Sequence, residues 1–192
     1  MVKRIAVIGP HATGKTSLIL RYLNKPFTES YISTLIGEPH ETRTARDIIW
    51  DTPPTQRYEI ERKMWSRASG FILCFDPRDD DSFFLALNLA DDIEVGTRPV
   101  VMAATKSDTG THNIKQAWSQ EASIRDWKII RTSSKSNIGI THVFGEIFAQ
   151  TPESNAVELG RLEYATSVMS SCIYSGVNNY IYELDRNYSG MD

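Results

Sequence analysis

Apolar residues in this chain come in short runs, separated by stretches with helical spacing. Residues 3–8 are the first such run and predict a buried strand; residues 17–23 read as the helix that follows. Pro26 ends that helix, and the polar residues 24–34 read as an extended surface loop. A short polar strand is expected over 41–46. An apolar strand is expected over 47–51, ending in the carboxylate of Asp51 and stopped by Pro53-Pro54. Ile60, Met64 and Ala68 recur at i, i+4 and i+8 and predict a short amphipathic helix. Residues 70–76 are a continuous apolar run closed by Asp76, the pattern of a strand covered on both faces. Phe83, Leu87 and Ala90 mark the next helix, 100–104 a strand, 114–124 a helix and 127–130 a strand. Ile140, Val143, Phe144, Ile147 and Phe148 give the clearest amphipathic helix. Strands alternating with helices predict an α/β fold with a mostly parallel six-stranded sheet and helices on both faces. A ligand is expected at the loops that leave the C-terminal ends of those strands.

The loop after the first strand reads Gly9-Pro10-His11-Ala12-Thr13-Gly14-Lys15-Thr16 and then Ser17. It fits G-x-x-x-x-G-K-[ST] at every fixed position, between a strand and a helix. The glycines let the backbone curl so that successive N–H groups face phosphate oxygens, and the helix start adds its positive end. Lys15 is expected to reach the β- and γ-phosphates, and the Thr16 hydroxyl to coordinate Mg²⁺. The bland alternative is a glycine-rich turn that packs and binds nothing.

Further stretches fall at the ligand-facing loops, and with them the first 150 residues resemble a small GTPase of the Ras superfamily, closest to the Rab branch. Phe27-Thr28-Glu29-Ser30-Tyr31-Ile32-Ser33-Thr34 is very like the first switch of Rab proteins that act early in the secretory pathway. Lys106-Ser107-Asp108 and Thr132-Ser133-Ser134-Lys135 stand where the two guanine-reading motifs belong. The resemblance implies a phosphate-loop NTPase fold that binds GTP or GDP with Mg²⁺. A buried Asp108 carboxylate would accept from guanine N1–H and the exocyclic amine, a pair adenine lacks. The stem of Lys106 would lie along the base, Phe27 would stack on its other side, and Ser133, Ser134 and Lys135 would line the guanine O6 through main-chain N–H groups. Thr34 would join Thr16 on Mg²⁺, with Asp51 holding the ion through a water. Loss of the γ-phosphate would then release the Thr34 segment, an order–disorder switch. The nucleotide residues implied are Gly9, His11, Ala12, Thr13, Gly14, Lys15, Thr16, Ser17, Phe27, Thr34, Thr105, Lys106, Asp108, Ser133, Ser134 and Lys135.

Departures from the family pattern gather near the γ-phosphate. The family reads D-T-A-G-Q-E where this chain has Asp51-Thr52-Pro53-Pro54-Thr55-Gln56. Pro54 replaces the glycine whose N–H meets the γ-phosphate, and proline has no N–H to give. Thr55 stands where the water-positioning glutamine belongs. Gln56 is one place late, so Lys15 and Gln56 are the candidate catalytic residues, the second only if the loop shifts. His11 fills a crowded loop position and would obstruct the hydrolytic geometry. These changes predict that guanine nucleotide binds while intrinsic hydrolysis is very slow or absent. Thr105 replaces the usual Asn before Lys106, which weakens the bridge between base loop and phosphate loop. Leu35 reads as an insertion after the switch threonine, and the segment from 34 to 51 is shorter than in Rab proteins. Of the Rab aromatic triad Trp50 is kept, with His40 and Met64 or Trp65 standing in for the others.

Composition narrows the partners. The chain has 192 residues, with 21 Lys and Arg against 24 Asp and Glu, so its net charge of −3 offers no electrostatic case for nucleic acid. Its two cysteines, Cys74 and Cys172, make no disulfide framework; a reduced, buried Cys74 and a reducing compartment are expected. The N-terminus reads directly into a strand, with no signal peptide and no myristoylation pattern. Residues 151–192 lie outside the resemblance. They read as a C-terminal extension, helical or partly disordered, with no prenylation motif and so no direct lipid anchor. The sequon at Asn187-Tyr188-Ser189 is taken as chance. The chain therefore reads as a cytoplasmic Rab-like switch linked to vesicle traffic, meeting Rab-type effectors and regulators and recruited to membranes by a partner. The rival reading is a non-cycling pseudo-GTPase that acts as a decoy or scaffold. A phosphate-loop kinase is a third, disfavoured by the guanine-reading pair and the lack of a phosphoryl-acceptor site.

Overall fold

The computed structural model describes residues 2–29, 38–41, 47–52, 65, 67–110 and 113–152. Six strands form one sheet: β1 (Arg4–Ile8), β2 (Glu38–Glu41), β3 (Ile48–Asp51), β4 (Gly70–Phe75), β5 (Val100–Ala104) and β6 (Lys128–Arg131). The described helices are α1 (Lys15–Tyr22), α2 (Asp80–Asp92), α3 (Gln116–Ile124) and α4 (Ile140–Gln150). The spatial order is β2-β3-β1-β4-β5-β6. All neighbours pair in parallel except β2, which runs antiparallel to β3 along the edge. The predicted mostly parallel six-stranded sheet is what forms.

The continuous apolar runs are explained by burial on both faces. Phe71, Leu73 and Phe75 of β4 join Val100, Met102 and Ala104 of β5 in one cluster, which also holds Phe83, Ala86 and Ala90 of α2 and Trp118 of α3. The alternate residues Ile72, Cys74, Val101 and Ala103 join the other, with Leu18 and Ile19 of α1 and Val143, Phe144 and Ile147 of α4. Successive strand residues point to opposite faces, so a central strand needs apolar side chains at every position. Aromatic contacts pin the helices. Trp118 stacks on Phe83 at 5.2 Å and meets Phe75 edge-on at 5.5 Å, while Tyr22 stacks on Phe144 at 4.0 Å. Cys74 is fully buried and free, and burial pushes its thiol up to about 12, so it is an inert packing group.

Three sequence expectations change. A described polar strand covers Glu38–Glu41, starting earlier than the expected 41–46 and sharing Glu41 with it; residues 42–46 lie outside the described set. Its place is fixed by main-chain pairing, Glu38 opposite Asp51 and Glu41 opposite Ile48, and a polar strand carries no alternation to reveal its register. Pro39 is tolerated because the strand is an edge. Trp65, offered with Met64 as a stand-in for one of the Rab triad aromatics, is 2% exposed and belongs to the core cluster that holds Phe71 and Phe83. The helix around Ile114 begins only at Gln116. Ile60, Met64, Pro53, Pro54, Thr55, Gln56, Thr34, Leu35 and residues 153–192 lie outside the described residues, and so do the calls made on them. Among the described residues no helix is long and apolar enough to cross a membrane.

Candidate nucleotide site

Because β1, β4, β5 and β6 run parallel, the segments that leave their C-terminal ends converge on one edge of the sheet. The first is the glycine loop, residues 9–14, between β1 and α1. Gly9 has φ 152°, and a Cβ there would stand 2.2 Å from the Cys74 carbonyl oxygen of neighbouring β4, so no side chain fits. Gly14 is needed for conformation rather than space: φ is 82° with open room around it. Ala12 also takes a left-handed φ of 57°, and the Thr13 hydroxyl donates to the Pro10 carbonyl at 2.8 Å, closing the curl. His11 and Ala12 are exposed, and Thr13 is buried. Leu18 N–H donates to the Gly14 carbonyl at 2.9 Å and begins α1, whose first turn (Lys15, Thr16, Ser17) holds no acidic residue.

Lys15 is 6% exposed, and its ammonium donates to the Gly9 and Pro10 carbonyls, each at 2.9 Å. Burial pulls its pKa below the ordinary lysine value, partly opposed by Cys74 and the Asp51 carboxylate. A buried cation beside a glycine loop at a helix start fits a polyphosphate, whose charge would offset that desolvation.

Asp51 closes β3 and is 2% exposed. The Thr16 hydroxyl donates to its Oδ2 at 2.6 Å. Thr52 is buried, and its hydroxyl donates to the Val7 carbonyl at 2.7 Å, fixing the end of β3 against β1. A hydroxyl and a carboxylate are hard oxygen donors, which suit Mg²⁺. Among the described residues no cluster of three or more His, Cys, Asp or Glu could hold a metal. A Mg²⁺ at Thr16 and Asp51 would therefore take most of its ligands from phosphate and water, as this ion prefers.

The base-reading loops follow β5 and β6. Ser107 N–H donates to the Thr132 carbonyl at 3.0 Å, joining the two loops. Asp108 accepts from the Ser133 hydroxyl at 2.5 Å, and Ser133 is itself locked by paired main-chain bonds to Ile138 and by the Ser136 N–H on its Oγ at 3.0 Å. The carboxylate is thus aimed. It is also exposed, which corrects the expectation that it is buried: it sits on the turn after β5, where no described residue covers it. Thr105 is buried and does not cross to the phosphate loop; its hydroxyl turns back to the Phe75 carbonyl at 2.9 Å. The crossing is made by Lys106, whose ammonium donates to the Ala12 carbonyl at 2.6 Å and pairs with Asp76 Oδ2 at 3.0 Å. Ser134 is half-buried and Lys135 exposed, the latter paired with Glu29 at 2.7 Å on the loop that carries half-buried Phe27.

Sequence reasoning missed Asp76, Arg78, Thr52 and Glu29. Asp76 carried a signal, since it ends a central apolar run just as Asp51 does. Arg78 forks onto it through Nε at 2.9 Å and Nη2 at 2.6 Å. Burial pushes the Asp76 carboxyl up, but the bonds from Arg78 and then Lys106 outweigh it and hold the group down at about 2.

Sequence comparison finds related proteins. The Ras family model matches residues 4–153. The chain is 27% identical over 157 residues to the Ras-related protein Rab-3 of Caenorhabditis elegans, covering 75% of this chain and 71% of that protein. It is 27% identical over 154 residues to the GTP-binding protein Rab-3D of Rattus norvegicus, covering 73% and 70%. It is 27% identical over 176 residues to the GTP-binding protein YPTM1 of Zea mays, covering 83% of each.

Proposed function

The chain belongs to the Ras family, as a Rab-like small GTPase, and from that premise we propose that it is a Mg²⁺-dependent guanine-nucleotide switch whose intrinsic hydrolysis is very slow. The observation that carries the binding half is the convergence on one edge of the sheet of a buried Lys15, the Thr16–Asp51 pair and the aimed Asp108. The loop amides and Lys15 take the phosphates. Lys106 and Asp108 take the base, Asp108 choosing guanine by the two donors on its Watson–Crick edge. Mg²⁺ supplies charge neutralisation between the phosphates when bound.

The slow-hydrolysis half rests on sequence. Pro54 has no N–H to offer the γ-phosphate, and Thr55 stands in the water-positioning place. Engagement of Rab-type effectors in vesicle traffic, from the cytoplasm and with membrane recruitment through a partner, belongs to the same proposal. It is supported by the Rab relatives and by the switch-like run from Phe27 to Thr34. The same Pro53-Pro54 favours a second reading, a non-cycling pseudo-GTPase that holds Rab partners regardless of nucleotide.

Nucleotide extraction and single-turnover kinetics on the purified chain separate the readings. The switch predicts recovered GDP or GTP, a hydrolysis rate below that of ordinary small GTPases, and partner binding in one nucleotide state. A hydrolysis rate at the ordinary level removes the slow-hydrolysis claim. A nucleotide-free chain that takes up no labelled guanine nucleotide favours the decoy.

A further inference from the structure

We propose that Asp76 and Arg78 are positioning residues for nucleotide retention, holding Lys106 across the gap between the base loop and the phosphate loop. The inference rests on the nucleotide-binding reading above and assigns residues that neither sequence motif contains.

The sheet order sets up the arrangement. The phosphate loop leaves β1 and the base loop leaves β5, and β4 lies between those strands. The residue just past the end of β4 therefore stands between the two loops. That residue is Asp76, 7% exposed. Its main chain is fastened to the start of α2: its N–H donates to Ser82 Oγ at 2.9 Å, and the Ser82 hydroxyl is shared between the Asp79 carbonyl at 2.7 Å and the Asp76 carbonyl at 3.0 Å. Its carboxylate is held by the Arg78 fork and by the Arg78 main-chain N–H at 3.1 Å on Oδ1. Oδ2, which accepts from Arg78 Nη2 at 2.6 Å, also takes the Lys106 ammonium at 3.0 Å.

Lys106 needs such a hold. It sits at φ 55°, a conformation costly for a residue with a side chain. Its long stem would sample many rotamers if untethered. Asp76 fixes the ammonium where it also reaches the Ala12 carbonyl, and that bond joins loops 94 residues apart in sequence. Thr105 does not share the task, because its hydroxyl is spent on Phe75. The depressed Asp76 carboxyl shows that the anion is the form this cluster stabilises. With the ammonium fixed, the Lys106 stem is placed for the base before nucleotide arrives. Without Asp76 the ammonium leaves Ala12, the loops separate more easily, and nucleotide escapes faster.

The test is dissociation of fluorescent N-methylanthraniloyl-GDP from the full chain with Mg²⁺, chased by excess GDP. Wild type is measured first, and failure to load it overturns the nucleotide-binding reading and this inference together. With loading established, D76N is expected to speed release about tenfold and R78Q about threefold, the loss of a charged and of a supporting hydrogen-bond partner. K106M is expected to speed release at least as much as D76N, and D76N added to K106M to change nothing further, since one acts through the other. R125Q, which breaks an ion pair to Asp91 at the far end of α2, should leave release unchanged. Release from D76N and R78Q within twofold of wild type overturns the proposal. So does a D76N effect that persists in full on the K106M background, which would mark Asp76 as merely structural. Should D76N fail to fold, R78Q alone and on the K106M background decides in the same way.

Discussion

The two halves of the candidate site are built from different materials. The phosphate half is main chain and buried charge: Gly9 pressed against β4, Lys15 at 6% exposed and Asp51 at 2%. The base half is side chains on turns: an exposed Asp108, a half-buried Lys106 and the surface pair Glu29–Lys135. In the first, backbone geometry decides, so almost any substitution is costly. In the second, ion pairs and one hydroxyl decide, so affinity and release are adjustable without disturbing the core. The contrast predicts that nucleotide retention is tuned from the base half.

Substitutions should separate the halves by size of effect. Gly9→Ala forces a Cβ onto the Cys74 carbonyl, so it should lower stability by about 3 kcal/mol or more and abolish nucleotide binding, read by urea unfolding and titration. Lys15→Met should weaken GDP binding by about 100-fold or more, because a buried charged donor to phosphate is lost. Its melting temperature without nucleotide should hold or rise, since burial disfavours that charge. A fall in both would erase the contrast between grip and stability.

Asp108→Ala should cost about 1.5–3 kcal/mol of guanine affinity while leaving adenine nucleotides as they were, checked by calorimetry with both. The Asp76 carboxyl lies at about 2 against an ordinary 3.8, so its contribution is complete above about pH 4 and is lost as pH falls through about 2. Discounted for solvent around Arg78, that loss is about 1–2 kcal/mol. D76N should be free of it, in denaturation profiles from pH 5 to pH 2. The smallest effect belongs to Glu29→Gln, which should speed GDP release less than about threefold and lose that effect in high salt, since the pair is exposed. A larger, salt-insensitive change would place Glu29 among the fixed parts.

The same contrast explains what the sequence could disclose. The phosphate loop was legible because glycine positions, Lys15 and Thr16 are local and each answers one geometric demand. The central strands were legible because two-sided burial writes a continuous apolar run, as in β4. The base half was legible as a motif but not as a mechanism. Thr105 was visibly not Asn, yet nothing local says that its hydroxyl turns to Phe75. Asp76 was visible at the end of a run, but its partner Lys106 lies 30 residues on, and only the β4–β5 pairing brings them together. The burial of Trp65 was not legible because the spacing of Ile60, Met64 and Ala68 does not include it. The start of the edge strand at Glu38 was not legible because its residues pair through the main chain.

The central claim is a pocket that grips polyphosphate and admits only guanine. Isothermal titration of nucleotide-stripped protein in Mg²⁺, with GTP and ATP run side by side, tests it most directly. The account predicts one GTP bound per chain and ATP weaker by about 100-fold or more, the discrimination expected when a site's carboxylate is left without its donors. Equal uptake of the two, or uptake of neither, would contradict it.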